Sequence, residues 1–528
     1  MNYQVLITDP LSEDGIYPLR QADNMTITVK TTLTAEELSE EIKHYDALLI
    51  RSQTTVTREV IEKAPNLKII GRAGVGVDNI DLSAATEHGI IVVNAPDGNT
   101  NSAAEHTMAM LGALSRKIPQ AFLSLKNGEW DRKSFIGVEI KNKTLGIVGL
   151  GRIGSEVAKR AKGQRMKVIA YDPFLTEEKA HKLGISKGSL EEVLRAGDFI
   201  SIHTPLLKET HNLINEEAFK LMKDDVQLVN CARGGIVNED ALYEAIVSGK
   251  VAGAALDVFE QEPFVGHPLL SLPQVIATPH LAASTIEAQE SVAIDVSADV
   301  VKFLTEGRVQ NPVNLPSISK EVMGKVAPFF DLTEKLGAFV SQLIDGIVEE
   351  VTIHYVGDLA GFDVRSLTRN TLKGLLKGNL GDHVNDVNAK YLADQIGIAV
   401  NEHKTSTTTS FTNLITVEAR TKNGIRSVSG TLLNGLGARI VKVDKYYVDV
   451  VPEGNLIFIK HKDQPGAIGR VGTLLAKENI NIAAMQVGRA AAGGDAIMML
   501  TIDKYVNGYD LNQLKELDDI FDVTGIQL

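Results

Sequence analysis

Three glycines in Gly149-Leu150-Gly151-Arg152-Ile153-Gly154 have the spacing G-x-G-x-x-G. The pattern alone is weak, but here it follows the apolar run KTLGIV and opens the amphipathic stretch SEVAKRAK. In that context the glycines allow a tight turn, and a helix N-terminus offers free N–H groups to a pyrophosphate. Asp172 closes the next apolar run, 18 residues past Gly154, where an acid takes ribose hydroxyls. Pro173 follows it; no adjacent cation awaits a 2′-phosphate, so NAD is expected rather than NADP. Further on, Arg233 lies in NCARGGIVNEDAL, Glu262 in DVFEQEPF and His280 in ATPHLAAST. Each follows a run that reads as a strand, and open α/β sheets bind ligands beyond the carboxyl ends of their strands. Taken singly, each is an ordinary polar residue. Together they suit hydride transfer between a dinucleotide and a 2-oxo acid. Arg holds a carboxylate bidentately and polarises a carbonyl, His moves a hydroxyl proton near neutral pH, and a nearby Glu orients the ring.

Such residues need a sheet to place them. The runs QVLITD, MTITVK, ALLIRS, LKIIGRAG and IIVVNAP read as strands, separated by the helical stretches 34–45, 57–65 and 81–89. This alternation predicts parallel strands with helices on both faces. SAAEHTMAMLGALSRKI (102–118) then reads as one long helix. A second alternating set begins at KTLGIVG and ends at QVIATPH, before another long helix at 284–304. We therefore expect two doubly wound parallel-sheet domains. A Rossmann-type cofactor domain over 99–284 would be inserted in a flavodoxin-like substrate domain built from 1–98 and 285–316. An α+β domain over 317–452 and a βαββαβ domain over 453–528 would follow, with Ala492-Gly493-Gly494 at a hairpin turn.

Composition narrows the classes of function. The 528 residues carry 54 Lys plus Arg against 67 Asp plus Glu, a net charge of −13, which argues against nucleic-acid binding. Aromatics are 5%, too sparse for a stacking platform. One cysteine excludes a disulfide framework and a Cys-clustered metal site, and suits a reducing compartment. No metal site is expected. The opening MNYQVLITDPLSEDG has neither a basic start nor a long apolar run, and no stretch of membrane-spanning length is seen, so a cytoplasmic protein is expected.

The ordered segments VGLGRIG, NCARGGIVNEDAL, ALDVFEQEP and TPHLAAST resemble the signatures of the D-2-hydroxyacid dehydrogenases. GRAGVGVDNIDL (71–82) and NAPDGNTNSAAEHTMAM (94–110) extend the resemblance. It implies that Arg233 binds substrate, that His280 is the acid/base and that Glu262 is its partner. It also implies that Thr204, Cys231, Ala232, Asp257 and Ala283 line the cofactor site with Gly149, Gly151, Arg152, Ile153, Gly154 and Asp172, Asp257 lying near the nicotinamide amide. Cys231 is then a small neighbour, not a nucleophile. Within the family the whole chain is similar to the long-form members that oxidise 3-phosphoglycerate. That likeness implies a substrate pocket at Arg51, Arg72, Gly74 and Val75, with the two arginines available to a phosphate. Dimer contacts are implied near 128–149, where Trp130 is an interface anchor or a core residue.

HKDQPGAIGRVGTLLAKENINIAAMQVGR (461–489) resembles an ACT regulatory domain, which implies contacts to an amino-acid effector, serine, at His461, Asp463 and Asn481, at a joint between subunits of a homodimer or homotetramer. The segment 317–452 resembles the intervening domain of the same long-form enzymes. Two other readings stay open: a hydroxypyruvate or glyoxylate reductase, and a non-enzymatic NAD-sensing adaptor on the same fold.

Overall fold

The computed structural model describes residues 2–316, 318–408, 410–506 and 508–528. Residue 317, where the third domain is expected to begin, lies outside the described residues. The first sheet is parallel, in the order β2-β1-β3-β4-β5. Its strands are β1 (Tyr3–Ile7), β2 (Met25–Val29), β3 (Ala47–Ile50), β4 (Ile69–Arg72) and β5 (Ile91–Asn94). This is the flavodoxin-like order. All of β3 is buried, as a strand covered on both faces by helices requires. The intervening helices begin where the side chains dictate: Thr34 and Glu37 form a reciprocal capping box and Asp81 accepts from Ala84 N.

The second sheet holds β6 (Thr144–Val148), β7 (Lys167–Tyr171), β8 (Ser186–Lys187), β9 (Phe199–Ile202), β10 (Val226–Asn230), β11 (Val251–Leu256) and β12 (Val275–Ala277). All pair in parallel in the order β12-β11-β10-β9-β6-β7-β8. The chain runs outward from β6 one way and then the other, the doubly wound arrangement with its switch point beside β6. Strand β8 was not expected, because Ser186 and Lys187 are polar and exposed.

The helix expected over 102–118 is followed directly by a second one that was not expected. Helix α1 (Thr100–Arg116) stops at Lys117, whose φ is 51°, and α2 (Ile118–Lys126) starts with a proline in its first turn. Pro119 has no N–H to donate back and its ring would clash with the preceding turn. Helix α3 (Arg152–Gly163) leaves the glycine turn, and α4 (Ile286–Glu306) returns to the first sheet, where Val292, Ala293, Val296 and Val300 enter its core.

The third sheet runs β14-β13-β15-β16-β17-β18. Its strands are β13 (Val348–Gly357), β14 (Ala399–Thr405), β15 (Asn413–Thr421), β16 (Gly424–Leu433), β17 (Gly437–Val443) and β18 (Tyr446–Val450). Only the β13–β14 pair is parallel. Helix α5 (Phe330–Leu343) shares a core with the inward residues Val351, Ile353, Ile415 and Val417. The last sheet is antiparallel, β20-β21-β19-β22. Its chain order is β19 (Asn455–Lys462), α6 (Ala467–Lys477), β20 (Ile482–Arg489), β21 (Asp495–Ile502), α7 (Gly508–Lys515) and β22 (Ile520–Gln527), the expected βαββαβ, with Gly493 at φ 72° in the hairpin. Strand residues alternate between two cores. Ile457, Ile459, Met498 and Leu500 face the sheet's own helices. Leu456, Phe458, Ile497, Met499 and Ile526 join the core under the third sheet. At the seam the Gln342 amide completes the edge of β22, donating to Gln527 O and accepting from Gln527 N, both at 3.0 Å. Among the described residues no helix is long and apolar enough to cross a membrane.

Candidate active site

At the turn after β6, Gly149 has φ 95° and a side chain there would meet the His203 carbonyl carbon at 2.7 Å. A Cβ at Gly154 would sit 2.2 Å from Gly149 O. Gly151, the residue before α3, has open space around it and no side chain caps that helix. Its first N–H groups are therefore available to an anion. Asp172 accepts from Leu150 N and Phe174 N, both at 2.8 Å, which fixes its carboxylate beside the turn. A cavity of about 500 Å³ opens there, lined by Asp172, Glu177, Lys187 and Glu192 among others. Lys187 is a cation that sequence reasoning missed, because β8 is too short and polar to be read. The three acids around it keep the lining negative. Arg152 meets Asp97 at 2.5 Å across the joint between the first two sheets, and Ile153 packs on the core below. The Thr204 hydroxyl is buried without a partner. An open helix N-terminus, a fixed acid and this orphaned hydroxyl fit a dinucleotide.

Thr204, Cys231 to Arg233, Asp257 and His280 to Ala283 follow β9, β10, β11 and β12 and so gather at one end of the sheet. Ala232 N donates to Asn230 Oδ1 at 3.1 Å, and Asn230 Nδ2 to Arg233 O at 3.0 Å, which shapes the loop carrying Arg233. Burial, then the Asp257 charge, push the Cys231 thiol up to about 12. Asp257 has no exposed surface. It accepts from Thr278 Oγ1 at 2.6 Å and from Leu281 N and Ala282 N at 2.8 Å. Burial raises its pKa, but those bonds and the His106 contact outweigh it and hold the carboxyl below its ordinary value. The loop it pins carries His280, whose φ is 55°, a backbone region few non-glycine residues adopt. His280 Nδ1 lies 2.8 Å from Glu262 Oε2, while Glu262 Oε1 accepts from Phe259 N at 3.1 Å. His280 Nε2 has no partner among the described residues.

The facing wall comes from the first sheet. Arg233 Nε donates to Asp78 Oδ2 at 3.1 Å, and its Nη1 to Ala232 O at 2.7 Å. Arg72 lies against the backbone of Gly74, where a Cβ would come 1.6 Å from Nη1, and its Nε is buried without a partner. Asn94 Nδ2 donates to Val75 O. The Arg51 loop is held by Asp9, which accepts from Arg51 N and from Thr54 Oγ1, and by Asn79, which donates to Arg51 O at 2.7 Å. Arg51 Nη1 lies 3.5 Å from Gln289 on α4. Burial, then the charge of Arg233, push the Arg72 guanidinium down to about 10, with Arg51 adding to the repulsion and Asp78 opposing it. It still carries its charge at neutral pH, so the cleft holds converging cations that an anion would relieve. Asp78, His106 and Thr278 were not singled out from sequence. Asp78 and His106 lie inside the matching segments 71–82 and 94–110, which is where a signal for them was available.

The C-terminal residues separate. His461 is buried, its Nδ1 lies 2.8 Å from Lys462 O, and its Nε2 has no partner. Asp463, just past the end of β19, accepts from Gly493 N at 3.1 Å and faces Arg489 at 3.5 Å. Asn481 bonds Asp503 at 2.7 Å. His461 pairs in register with Ala496, whereas Ile482, the residue after Asn481, pairs with Ile502. Asn481 is therefore at the opposite end of the sheet, and one chain does not bring the three together. Trp130 is 82% exposed, which removes the alternative that it is core.

Comparison with known proteins identifies the family of this chain. Residues 108–282 match the family described as D-isomer specific 2-hydroxyacid dehydrogenase, NAD binding domain. The crystal structure of D-lactate dehydrogenase from Aquifex aeolicus, complexed with NAD and lactic acid, is 33% identical with a TM-score of 0.53, covering 59% of this chain and 100% of that one. Fold and site together define an NAD-dependent dehydrogenase. Residues 325–444 match the D-3-phosphoglycerate dehydrogenase intervening domain and 455–518 the ACT domain. D-3-phosphoglycerate dehydrogenase of Bacillus subtilis is 46% identical over 526 residues, covering 100% of each chain. That of Methanocaldococcus jannaschii is 47% identical over 526 residues, covering 99% of this chain and 100% of the relative. The chain belongs to the D-3-phosphoglycerate dehydrogenase family.

Proposed function

We propose that the chain oxidises 3-phospho-D-glycerate to 3-phosphooxypyruvate with NAD, the first step toward L-serine. The observation that carries this reading is the facing pair of walls: His280 on Glu262 beside Arg233 on one side, Arg51 and Arg72 on the other. Arg233 holds the carboxylate by charge-assisted bonds. Arg51 and Arg72 receive the phosphate, which offsets the repulsion they carry. His280 Nε2 takes the hydroxyl proton, and Glu262, on Nδ1, fixes the ring and balances the imidazolium that forms. NAD, when bound, supplies the hydride acceptor for the hydrogen leaving C2. Asp257 keeps the His280 loop in place, and Asp172 fixes the ribose.

The four sheets support a division into 1–98 with 285–316, 99–284, 317–452 and 453–528. Exposed Ile118, Phe122, Leu123 and Leu125 on α2, with Trp130 and Ile136 beyond it, support a homodimer or homotetramer through this surface. The single cysteine, buried and free, suits the cytoplasm. Serine would act where His461 and Asp463 of one copy meet Asn481 of another. The test is NADH formation from a panel of phosphorylated and plain 2-hydroxy acids, with and without serine. Turnover confined to the plain acids would make the protein a hydroxypyruvate or glyoxylate reductase, and no turnover at all would make it an adaptor.

A further inference from the structure

We propose that Asp78 is a positioning residue for this reaction: it reaches across the cleft, grips one edge of Arg233 and turns the rest of the guanidinium toward the substrate carboxylate. The proposal rests on the reading of Arg233 as the carboxylate-binding group. The two residues stand 155 apart in the chain and on different sheets, yet Nε and Oδ2 are 3.1 Å apart. With Nη1 also giving one hydrogen to Ala232 O at 2.7 Å, the guanidinium is held at two of its donors. An arginine has five N–H groups in a fixed fork. The bonds to Asp78 and Ala232 leave one hydrogen on Nη1 and two on Nη2, enough for a carboxylate to take the Nη1–Nη2 end as a fork.

The backbone makes room for this pair. A Cβ at Gly76 would fall 2.2 Å from Arg233 Nη2 and 2.8 Å from Asp78 Oδ2, so a side chain there would force the two apart. Charge gives a second reason. Arg233 and Arg51 bear on Arg72 in one sense and Asp78 in the other. Without the Asp78 charge, the electrostatic preference of Arg233 is to swing away from Arg72, and the end-on fork is lost. The Asp78 carboxylate is 70% exposed, and so open an ion pair contributes little to folding stability. Its position is better explained by what it aims than by what it holds together.

A double-mutant cycle on the intact chain tests this. Asp78→Asn should lower kcat/KM for the phosphorylated acid by about tenfold or more, with the loss partly in kcat because C2 and its hydroxyl are left poorly aligned. NADH binding, read by fluorescence titration, should stay within about twofold. In an Arg233→Ala background, adding Asp78→Asn should change kcat/KM by less than about twofold. An equal loss in both backgrounds, an unchanged kcat/KM in the single variant, or a parallel loss of NADH binding would each overturn the proposal. Arg233→Ala with normal kcat/KM would instead overturn the reading of Arg233 on which it rests, a result visible in the single Arg233 variant alone.

Discussion

His280 and Glu262, on loops leaving neighbouring strands, meet through Nδ1 and Oε2 at 2.8 Å, while the other Glu262 oxygen is fixed by Phe259 N. The ring is thus oriented from behind and its second nitrogen is left for chemistry. His280→Asn should keep NAD binding and lower turnover by about 10² or more, the usual scale for a general acid/base. Glu262→Gln keeps an acceptor for Phe259 N but removes the charge, and should lower turnover with NADH affinity unchanged. Steady-state kinetics beside an NADH titration checks both. Near-normal turnover of His280→Asn would send the proton elsewhere.

The coenzyme pocket should discriminate by charge. Asp172, Glu177 and Glu192 line the cavity against the single cation Lys187, so a 2′-phosphate meets more repulsion than attraction. NAD should support turnover far better than NADP, and Asp172→Ala should weaken NAD and narrow the gap. Kinetics with both coenzymes decides; a native preference for NADP would refute the assignment.

Arg51 and Arg72 should show their role only when a phosphate is present. Replacing either with Ala removes a charge-assisted contact of about 1.5–3 kcal/mol. The corresponding loss in kcat/KM should appear with the phosphorylated acid and vanish with a plain one. Equal losses on both would assign the arginine to structure.

Cys231 should be inert. Burial comes first and the Asp257 charge second in raising its thiol to about 12. At pH 8 only about one in ten thousand thiols is then ionised, and the reactive thiolate gains population only as pH climbs toward that value. Iodoacetamide at pH 8 should leave the folded protein active and unlabelled by mass spectrometry. Rapid labelling would show the β10 end to be open.

Serine should bind to assembled protein. Asn481→Ala is expected to weaken serine binding while leaving turnover without serine unchanged, and the serine response should fade on dilution to monomers, since the two halves of the site sit at opposite ends of one sheet. Its coupling should be about 1–3 kcal/mol. Calorimetry with millimolar serine is the check, and absence of heat would leave the tail without an effector role.

Much of the first two sheets was legible because their strands are short, continuous apolar runs, as β3 and β9 show with every residue buried. Strand β14 was not, since AVNEHKT has no alternation and is mostly exposed; tertiary pairing with β13 makes it a strand. The helix α2 was not read either, although Pro119 sits in its first turn, where a proline suits a helix start. At the site, Arg233, Glu262 and His280 carried motif signals, whereas Asp78 acts by proximity across 155 residues, and sequence spacing does not encode such proximity. The separation of Asn481 from His461 likewise follows from strand register, which short motifs do not reveal.

The core shared by the third and fourth sheets has a consequence for how this chain can be cut and heated. Leu456, Phe458, Ile497, Met499 and Ile526 share one buried core with the residues of α5 and the third sheet, so excising the last segment would strip one wall from a buried interior. Amide exchange across α5 and β22, tied by the Gln342–Gln527 pair, should accordingly rise together as a single cooperative opening.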